Sequence, residues 1–406
     1  MKWLYRCPSC DRVYAIEPGR YLCDECGTRN KPGLPLEGVL ECVWETEAGD
    51  PPFGDALIGG QGQAGIPLPV ESEFFPPLPV GDTPLWQPAR LREALGAPNL
   101  YLKDDTCNPS GSYKDRASWL VAAFASKFGI KEIALASTGN AASSMACVGA
   151  AAGLKITVFL PASAPAAKRV QVLQYGAELR EVQGTYDQAF DESLAYSAAT
   201  GVLSRNTAYN PLTIEGKKTA SFEIARDLGR AMAPSSHASA VASYLAPDHV
   251  FVPTGDGVIL AGLIKGFEDL LKLGLTTKMP TFWAAQADGS SAIARALSSG
   301  HFEEQPSDTI ADSISVDVPR NGSFVLARLR KYGGKGVTAS DEEILSAQQR
   351  LSSLSGLFVE PSSACAFACY VKVLPTIPRE ESVVLMLTGS GLKDIKNAAK
   401  AVNARL

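Results

Sequence analysis

Beyond about residue 89 the chain alternates short apolar runs with amphipathic stretches. Asn99–Asp105 reads as a strand and Tyr113–Phe128 as a helix. Glu132–Ser137 follows as a strand, Ala141–Ala152 as a helix, Ile156–Pro161 as a strand, Ala166–Tyr175 as a helix and Glu178–Gly184 as a strand. The alternation resumes with a strand at His249–Pro253, a helix at Val258–Leu273, a strand at Thr281–Asp288 and a helix near Ala292. It ends with a strand at Ser382–Gly389 and a helix at Leu392–Val402. Apolar strands alternating with helices are the sequence form of βαβ units and parallel sheets. Two such blocks, divided by the Ala/Ser-rich stretch Gly229–Pro247, predict two α/β lobes.

Residues 31–88 carry a different pattern, rich in Pro, Gly and acidic side chains (GDPPFGD, GGQGQAG, FFPPLPVGDTPL). This composition predicts a connecting arm with few helix signals. Ahead of it, residues 1–30 hold Cys7 and Cys10, then Cys23 and Cys26. Each C-x-x-C turn brings two thiolates to one side of a knuckle, and two knuckles complete a tetrahedral zinc site. Pro8, Asp11, Gly19 and Gly27 supply the turns of a small zinc ribbon. Four thiolates leave no open position for water, so the predicted metal is structural. Two unmetallated cysteine pairs are the other reading of the same residues. The remaining thiols (Cys42, Cys107, Cys147, Cys365 and Cys369) are scattered, and an odd total without a secretion signal fits reduced cysteine. Cys147, Cys365 and Cys369 read as small core residues.

Composition narrows the function. The chain has 406 residues, 46% of them hydrophobic and 20% charged, as expected of a globular protein of two or three domains. A net charge of −5 gives no electrostatic reason for a polyanionic partner, so nucleic acid is not expected as the main ligand. The most apolar stretch, Met145–Pro161, is cut by Gly149, Gly153 and Lys155, short of the roughly 20 residues a membrane helix needs. The start, MKWLYRCPSC, has no apolar signal region, and a cytoplasmic protein is expected. His237, His249 and His301 have no neighbouring constellation for a Ser-His-Asp triad or a His-rich metal site, and read as surface or capping residues. No GxxxxGK[ST] motif occurs.

In open α/β sheets ligands bind beyond the carboxyl ends of strands. Four loops at such ends, Asn108–Lys114, Ser137–Asn140, Thr254–Gly257 and Thr388–Gly391, are rich in Gly, Ser, Thr or Asn and predict one polar pocket. Lys114 opens a predicted helix, where the positive end of the dipole disfavours a cation. An amine that loses its proton readily suits imine formation. Taken alone, Lys114 reads as a surface lysine beside Asp115 and Arg116; the other loops change that balance. In Thr254–Ile259 two glycines let backbone N–H groups approach an anion at a helix amino terminus. Ser137–Asn140 presents hydroxyls and N–H groups suited to a carboxylate, although such a motif alone is also an N-cap.

SYKDR, ASTGNAAS, NPLTIEGKKT, VEPSSA and LTGSGLKD, in this order over roughly residues 80–400, resemble the threonine synthases and their relatives among fold-type-II pyridoxal phosphate (PLP) enzymes. A cysteine-rich amino-terminal ribbon also occurs in members of that group. The resemblance implies an α/β fold of two doubly wound lobes plus the ribbon. Residues 89–113 and 211–406 would form the large PLP-binding lobe and residues 114–210 the small substrate-binding lobe. It further implies that Lys114 carries PLP as a Schiff base and shuttles protons, and that Asn140 bonds the cofactor's 3′-oxygen. Gly255, Asp256, Gly257 and Val258 would line the phosphate cradle, and Ser137, Thr138 and Gly139 would hold the substrate carboxylate. Thr388 would meet the pyridine nitrogen, where a neutral hydroxyl cannot hold a pyridinium as an acidic partner does. Glu360 and Ser362 lie in a matching motif whose role stays open between site and packing. Domain closure over an amino-acid substrate and a homodimer are also implied.

Three departures bear on the substrate. The family's arginine, which grips a substrate phosphate, is absent from Asn210–Gly216. A charge-assisted bidentate bond of that kind contributes about 2–3 kcal/mol, and Lys217, Lys218 or Arg320 are the cations that could replace it. Asp256 stands in the cradle, where a carboxylate repels phosphate unless it turns away; it is expected to cap the next helix. Ser313–Gly322 differs from the family and is expected at the pocket mouth, with Arg320 and Asn321 as contacts. The leading expectation is a threonine synthase acting on O-phospho-L-homoserine. A β-eliminating or β-replacing lyase on serine-like, threonine-like or diamino acids is the alternative. A zinc-ribbon binding protein with a non-catalytic α/β body is the reading from another class; an intact Lys114, Asn140 and Thr388 argue against it.

Overall fold

The computed structural model describes residues 2–45, 65–162, 166–233 and 244–402. Three sheets organise them. The amino-terminal sheet is antiparallel, with strands β1 (Lys2–Arg6), β2 (Val13–Tyr14) and β3 (Glu41–Glu45) in the order β2-β1-β3. β3 comes from the segment expected to be an arm, and pairs with β1 along its whole length, from Lys2↔Glu45 to Arg6↔Glu41. Tyr5, Cys7, Cys23 and Cys26 share one apolar cluster with Leu120, Ile133 and Leu212, so the ribbon packs on the α/β body.

The large sheet contains β4 (Leu85–Trp86), β5 (Leu100–Asp104), β10 (His249–Pro253), β11 (Thr281–Ala287), β12 (Lys335–Ala339) and β13 (Val383–Leu387). Their order is β12-β11-β10-β13-β5-β4. All its pairings are parallel except β4, which runs antiparallel along β5 at the edge. The second sheet, β6 (Glu132–Ala136), β7 (Lys155–Pro161), β8 (Glu178–Val182) and β9 (Leu203–Ser204), is parallel throughout in the order β8-β7-β6-β9. β5, β10 and β13 are buried along their whole length, as strands covered by helices on both faces must be. The chain leaves β5, crosses the second sheet, returns as β10 and steps outward through β11 and β12. It then comes back as β13 between β10 and β5. The carboxyl ends of β5, β13 and β10 therefore lie side by side where the strand order reverses, the usual position of a ligand crevice.

The alternation read from the sequence reappears to within a residue or two at most elements. Helices at Tyr186–Thr200, Leu212–Lys217, Thr219–Met232, Gly322–Lys331, Asp341–Ser355 and Pro361–Val373, with β4, β9 and β12, come in addition. His249 corrects its expected surface place. It lies in β10, where its Nδ1 accepts from Trp283 Nε1 at 3.2 Å and its Nε2 is 2.6 Å from Glu381. His301 is exposed, and His237 lies outside the described residues. Cys147, Cys365 and Cys369 are buried, as is Cys42. Among the described residues no helix is long and apolar enough to cross a membrane.

Candidate active site

The helix Lys114–Lys127 begins at the carboxyl end of β13. Tyr113 donates its N–H to the Thr388 carbonyl at 2.9 Å, and Ser112 bridges to Gly389. Gly111, at φ +80°, closes the turn with its N–H on the Asn108 carbonyl at 2.7 Å. One turn into the helix, buried Arg116 bonds Asp105 (Nε to Oδ2, 2.6 Å) and Glu223 (Nη2 to Oε2, 2.8 Å). Lys103 donates to the same Glu223 oxygen at 2.6 Å. This network fixes the helix start to β5 and to the helix Thr219–Met232, and so fixes the direction in which Lys114 emerges.

Lys114 opens on a cleft of about 520 Å³, its mouth included, that is also lined by Asn140, Gly255, Asp256, Gly257, Val258, Thr388 and Glu360. Burial lowers the Lys114 pKa; Arg205 adds to that lowering, and Asp256 and Glu360 oppose it. The amine is thus closer to its neutral, nucleophilic form than a solvated lysine.

Opposite Lys114 the loop after β10 enters the helix Val258–Lys272. Gly257 sits at φ +86°, and no side chain caps that helix, so its first N–H groups remain available. A Cβ on Gly255 would lie 2.9 Å from Ile314 Cα, so the loop and the Ile314 backbone meet as closely as glycine permits. Free N–H groups at the start of a 15-residue helix, with no side chain capping them, fit a phosphate. Asp256 does not cap this helix, contrary to expectation. Its Oδ1 accepts the Arg320 N–H at 3.3 Å, and its carbonyl accepts the Asn321 N–H at 3.2 Å, which ties the cradle to the segment expected at the mouth.

Asn140, the first residue of the helix Asn140–Ala152, donates from Nδ2 to both Glu360 oxygens at 3.1 and 3.0 Å, and to Ser313 Oγ at 3.2 Å. Burial raises the Glu360 pKa against the pull of Asn140. Glu360, whose motif left its role open, therefore faces the cleft. Thr388 shares a hydrogen bond with Ser363 Oγ at 3.2 Å, and Ser363 Oγ accepts the Thr388 and Gly389 N–H groups at 2.9 Å. The cleft end at Thr388 is thus held by neutral hydroxyls.

Ser137 and Thr138 stand apart from Lys114. They line a separate, smaller cleft with Val158, Leu160 and Arg169, and Ser137 Oγ accepts the N–H groups of Gly139 (3.2 Å) and Ala142 (3.3 Å). Gly139 is the N-cap of the Asn140 helix, with open space where a side chain would be. Ser313, Ile314 and Val316 line the main cleft, while Arg320 pairs with Asp187 and lies 4.0 Å from the centre of the Phe190 ring. Thr207, between β9 and the NPLTIEG motif, also lines the cleft, and no local sequence signal marks it.

The second constellation is the thiol cluster. The sulfurs of Cys7, Cys10, Cys23 and Cys26 all lie within 4.8 Å of one another, with Cys10 and Cys23 3.7 Å apart. Zinc–sulfur bonds of about 2.3 Å arranged tetrahedrally place their sulfurs about 3.8 Å apart, so the four fit a metal. Tyr14 OH donates to Cys23 Sγ at 3.1 Å from outside the cluster.

The family model for "Pyridoxal-phosphate dependent enzyme" matches residues 77–389. The threonine synthase of Methanocaldococcus jannaschii is 32% identical over 98% of this chain and 95% of its own length. That of Methanosarcina acetivorans is 36% identical over 80% of this chain and 78% of its own. Among solved structures, processed threonine deaminase isoform 2 from Solanum lycopersicum superposes with a TM-score of 0.67 at 22% identity, covering 80% of this chain and 85% of that one. Maize serine racemase superposes with a TM-score of 0.65 at 20% identity, covering 79% and 91%. At such identities the two structures speak for the fold alone. The matched span covers every strand of both parallel sheets, together with Lys114 and its cleft, and the chain belongs to the fold-type-II family of pyridoxal-phosphate dependent enzymes, among the lyases that include the threonine synthases.

Proposed function

We propose that the protein is a threonine synthase, converting O-phospho-L-homoserine and water to L-threonine and phosphate. The observation that carries this reading is one cleft in which Lys114 faces a glycine-built anion cradle and neutral Thr388. Support comes from a relative named threonine synthase that matches 98% of the chain and another that matches 80%. PLP, when bound, supplies an electron sink for a carbanion at the substrate's α-carbon. The chain's own groups do the rest. N–H groups of Gly255–Val258 bind the cofactor phosphate, and Asn140 orients the ring from its oxygen side. Lys114 holds PLP and, with its lowered pKa, takes and returns protons at the substrate carbons. Ser137, Thr138 and Gly139 receive the substrate carboxylate. The four cysteines hold a structural zinc. We expect the assembly to be a cytoplasmic homodimer, its mass to be read by light scattering.

The test is to incubate the PLP-loaded protein with O-phospho-L-homoserine and measure phosphate and threonine. Equal release of both supports the reading, with loss of both and of the visible chromophore in Lys114→Ala. The absence of arginine from Asn210–Gly216 favours a second reading, elimination on unphosphorylated L-serine or L-threonine. Ammonia and an oxo acid from those substrates, with no threonine from the phosphorylated one, would establish it instead.

A further inference from the structure

The deeply buried cations of this protein fall into two groups. Arg116, Lys103, Lys218 and Lys265 each lie within ion-pair distance of buried Asp or Glu residues. Lys217 and Arg205 do not. Both are fully buried, yet among the described residues neither forms an ion pair, and Lys217 Nζ and Arg205 Nη2 have no hydrogen-bond partner. Isolated buried charge is strongly disfavoured unless something compensates it. Two such groups, each within electrostatic reach of the other, fit an anion.

The pair adjoins the Lys114 cleft, and the backbone is shaped to deliver both side chains there. Lys217 ends the helix Leu212–Lys217, which is wedged between the helices starting at Lys114 and Val258. A Cβ on Gly216 would lie 2.4 Å from the Arg116 carbonyl oxygen, and one on Gly262 would lie 2.6 Å from Lys217 Cβ. Glycine on both contact faces allows this approach. Tyr113, next to Lys114, donates its hydroxyl to the Lys217 carbonyl at 2.7 Å. Arg205 is aimed by Nη1 on Thr207 Oγ1 at 2.6 Å and by Nε on Ser118 Oγ at 3.3 Å, and Thr207 itself lines the cleft. Burial lowers both pKa values, that of Arg205 to about 10. Lys114 and Arg205 push Lys217 lower still, and only Asp256 opposes them. Asp256 faces Lys217 and Lys114, Asp115 faces Arg205 and Glu360 faces Lys114, but among the described residues none of these carboxylates comes within ion-pair distance of Lys217 or Arg205, so a phosphate would meet no direct competitor there.

We propose that Lys217 and Arg205 form a second phosphate site, distinct from the Gly255–Gly257 cradle, which takes the phosphomonoester of the substrate. The assignment rests on the threonine synthase reading and supplies the cation missing from Asn210–Gly216. Of the other candidates, Lys218 is committed to Glu215 and Asp269, and Arg320 to Asp187. The cofactor's own phosphate has the same chemistry, and the experiment separates the two sources.

PLP-loaded wild type and Lys217→Gln are compared by three readouts: PLP affinity from visible absorbance, thermal stabilisation by inorganic phosphate, and steady-state kinetics on O-phospho-L-homoserine. Lys217→Gln is expected to keep PLP affinity within about twofold. It should lose kcat/KM by about ten- to a hundredfold, mainly through KM, as for one lost charged hydrogen bond. Inorganic phosphate should raise the Tm of wild type and fail to raise that of the variant. Unchanged phosphate stabilisation in folded Lys217→Gln overturns the proposal. So does loss of PLP affinity with phosphate stabilisation intact, which would assign the pair to the cofactor. Wild type that makes no threonine refutes the activity reading, while the phosphate-dependent Tm still decides this one. Arg205→Gln carries the same comparison independently should Lys217→Gln not fold.

Discussion

Arg116→Met is the substitution whose cost can be worked most directly from the structure. The guanidinium makes two bonds to Asp105 (2.6 and 2.9 Å) and two to Glu223 (2.5 and 2.8 Å). It adds contacts to Thr219 Oγ1 at 3.0 Å and Thr83 Oγ1 at 3.1 Å. Lys103, Arg116, Asp105 and Glu223 are all buried, so the four charges balance without water. Methionine fills much of the volume but leaves two buried carboxylates facing one lysine. Removing one partner from such a network costs about 3–5 kcal/mol, against about 0–1 kcal/mol for an exposed pair such as Arg12–Glu25. The pH dependence has a definite sign. Burial alone would raise the Glu223 pKa, but Arg116 and Lys103 outweigh it and hold the carboxyl well below its usual range. A depressed carboxyl contributes stability that is full above the unfolded value near 4.5 and is lost as pH falls through the folded value. Urea unfolding at pH 7 should therefore show the full difference between wild type and Arg116→Met, and unfolding near pH 4 a smaller one. A difference below about 1 kcal/mol at pH 7, in a variant that retains the native far-UV spectrum, would refute the account of the helix start as an ion-pair anchor.

Gly255→Ala drives its methyl to 2.9 Å from Ile314 Cα; an overpacking penalty of about 1–3 kcal/mol should appear as roughly five- to 150-fold weaker PLP binding in an absorbance titration. Wild type is expected to carry one zinc per chain by elemental analysis, and Cys23→Ser to approach none. Its Tm should fall, because Cys23 shares its apolar cluster with Leu120 and Ile133 of the body. In PLP-free protein, acylation of Lys114 followed by mass spectrometry should show a midpoint below the ordinary lysine value of 10.5. Asp256→Asn should move that midpoint lower again, since Asp256 opposes the lowering; an unmoved midpoint would place Asp256 too far from the amine to matter.

Elements with a strong local signature were legible in the sequence, and those defined by partners were not. β5, β10 and β13 are apolar runs ending in Gly, Ser, Thr or Asn loops, so both strands and loops could be read. β9 is only Leu203–Ser204, held by pairing with β6, and nothing local marks it. The helices Tyr186–Thr200 and Asp341–Ser355 did carry a usable signal. Thr185 with Gln188, and Ser340 with Glu343, form capping boxes, and Gly201 and Gly356 close the C-termini in the left-handed conformation. At the site, Lys114, Asn140, the glycine loop and Thr388 were visible because each sits beside its strand in sequence. Arg205 and Lys217 were not placed, because their meaning lies in lacking a counter-charge. Lys217 and Lys218 are adjacent in sequence, yet Lys218 turns to Glu215 and Asp269 while Lys217 turns to none. No sequence pattern tells the two apart.

The ribbon's position follows from the same reasoning about partners. Its Tyr21 hydroxyl accepts the Ser204 N–H at 2.9 Å, and its ring lies 5.0 Å from that of Tyr209; both partners flank the stretch that carries Arg205 and Thr207. A few residues on, Leu36 donates its N–H to the Arg320 carbonyl at 2.9 Å and Glu37 accepts from Ser323 Oγ at 2.9 Å, on the segment whose backbone N–H groups meet Asp256. The amino-terminal region thus touches both walls of the cleft, and among the described residues it contributes no side chain to it. A short ribbon has little core of its own, so a metal cross-link is an economical way to make it rigid. Rigidity there reaches Arg205 through Ser204, and Asp256 through Arg320. Any closure of the lobes over a substrate must either carry the ribbon with one wall or break one of these two sets of backbone contacts.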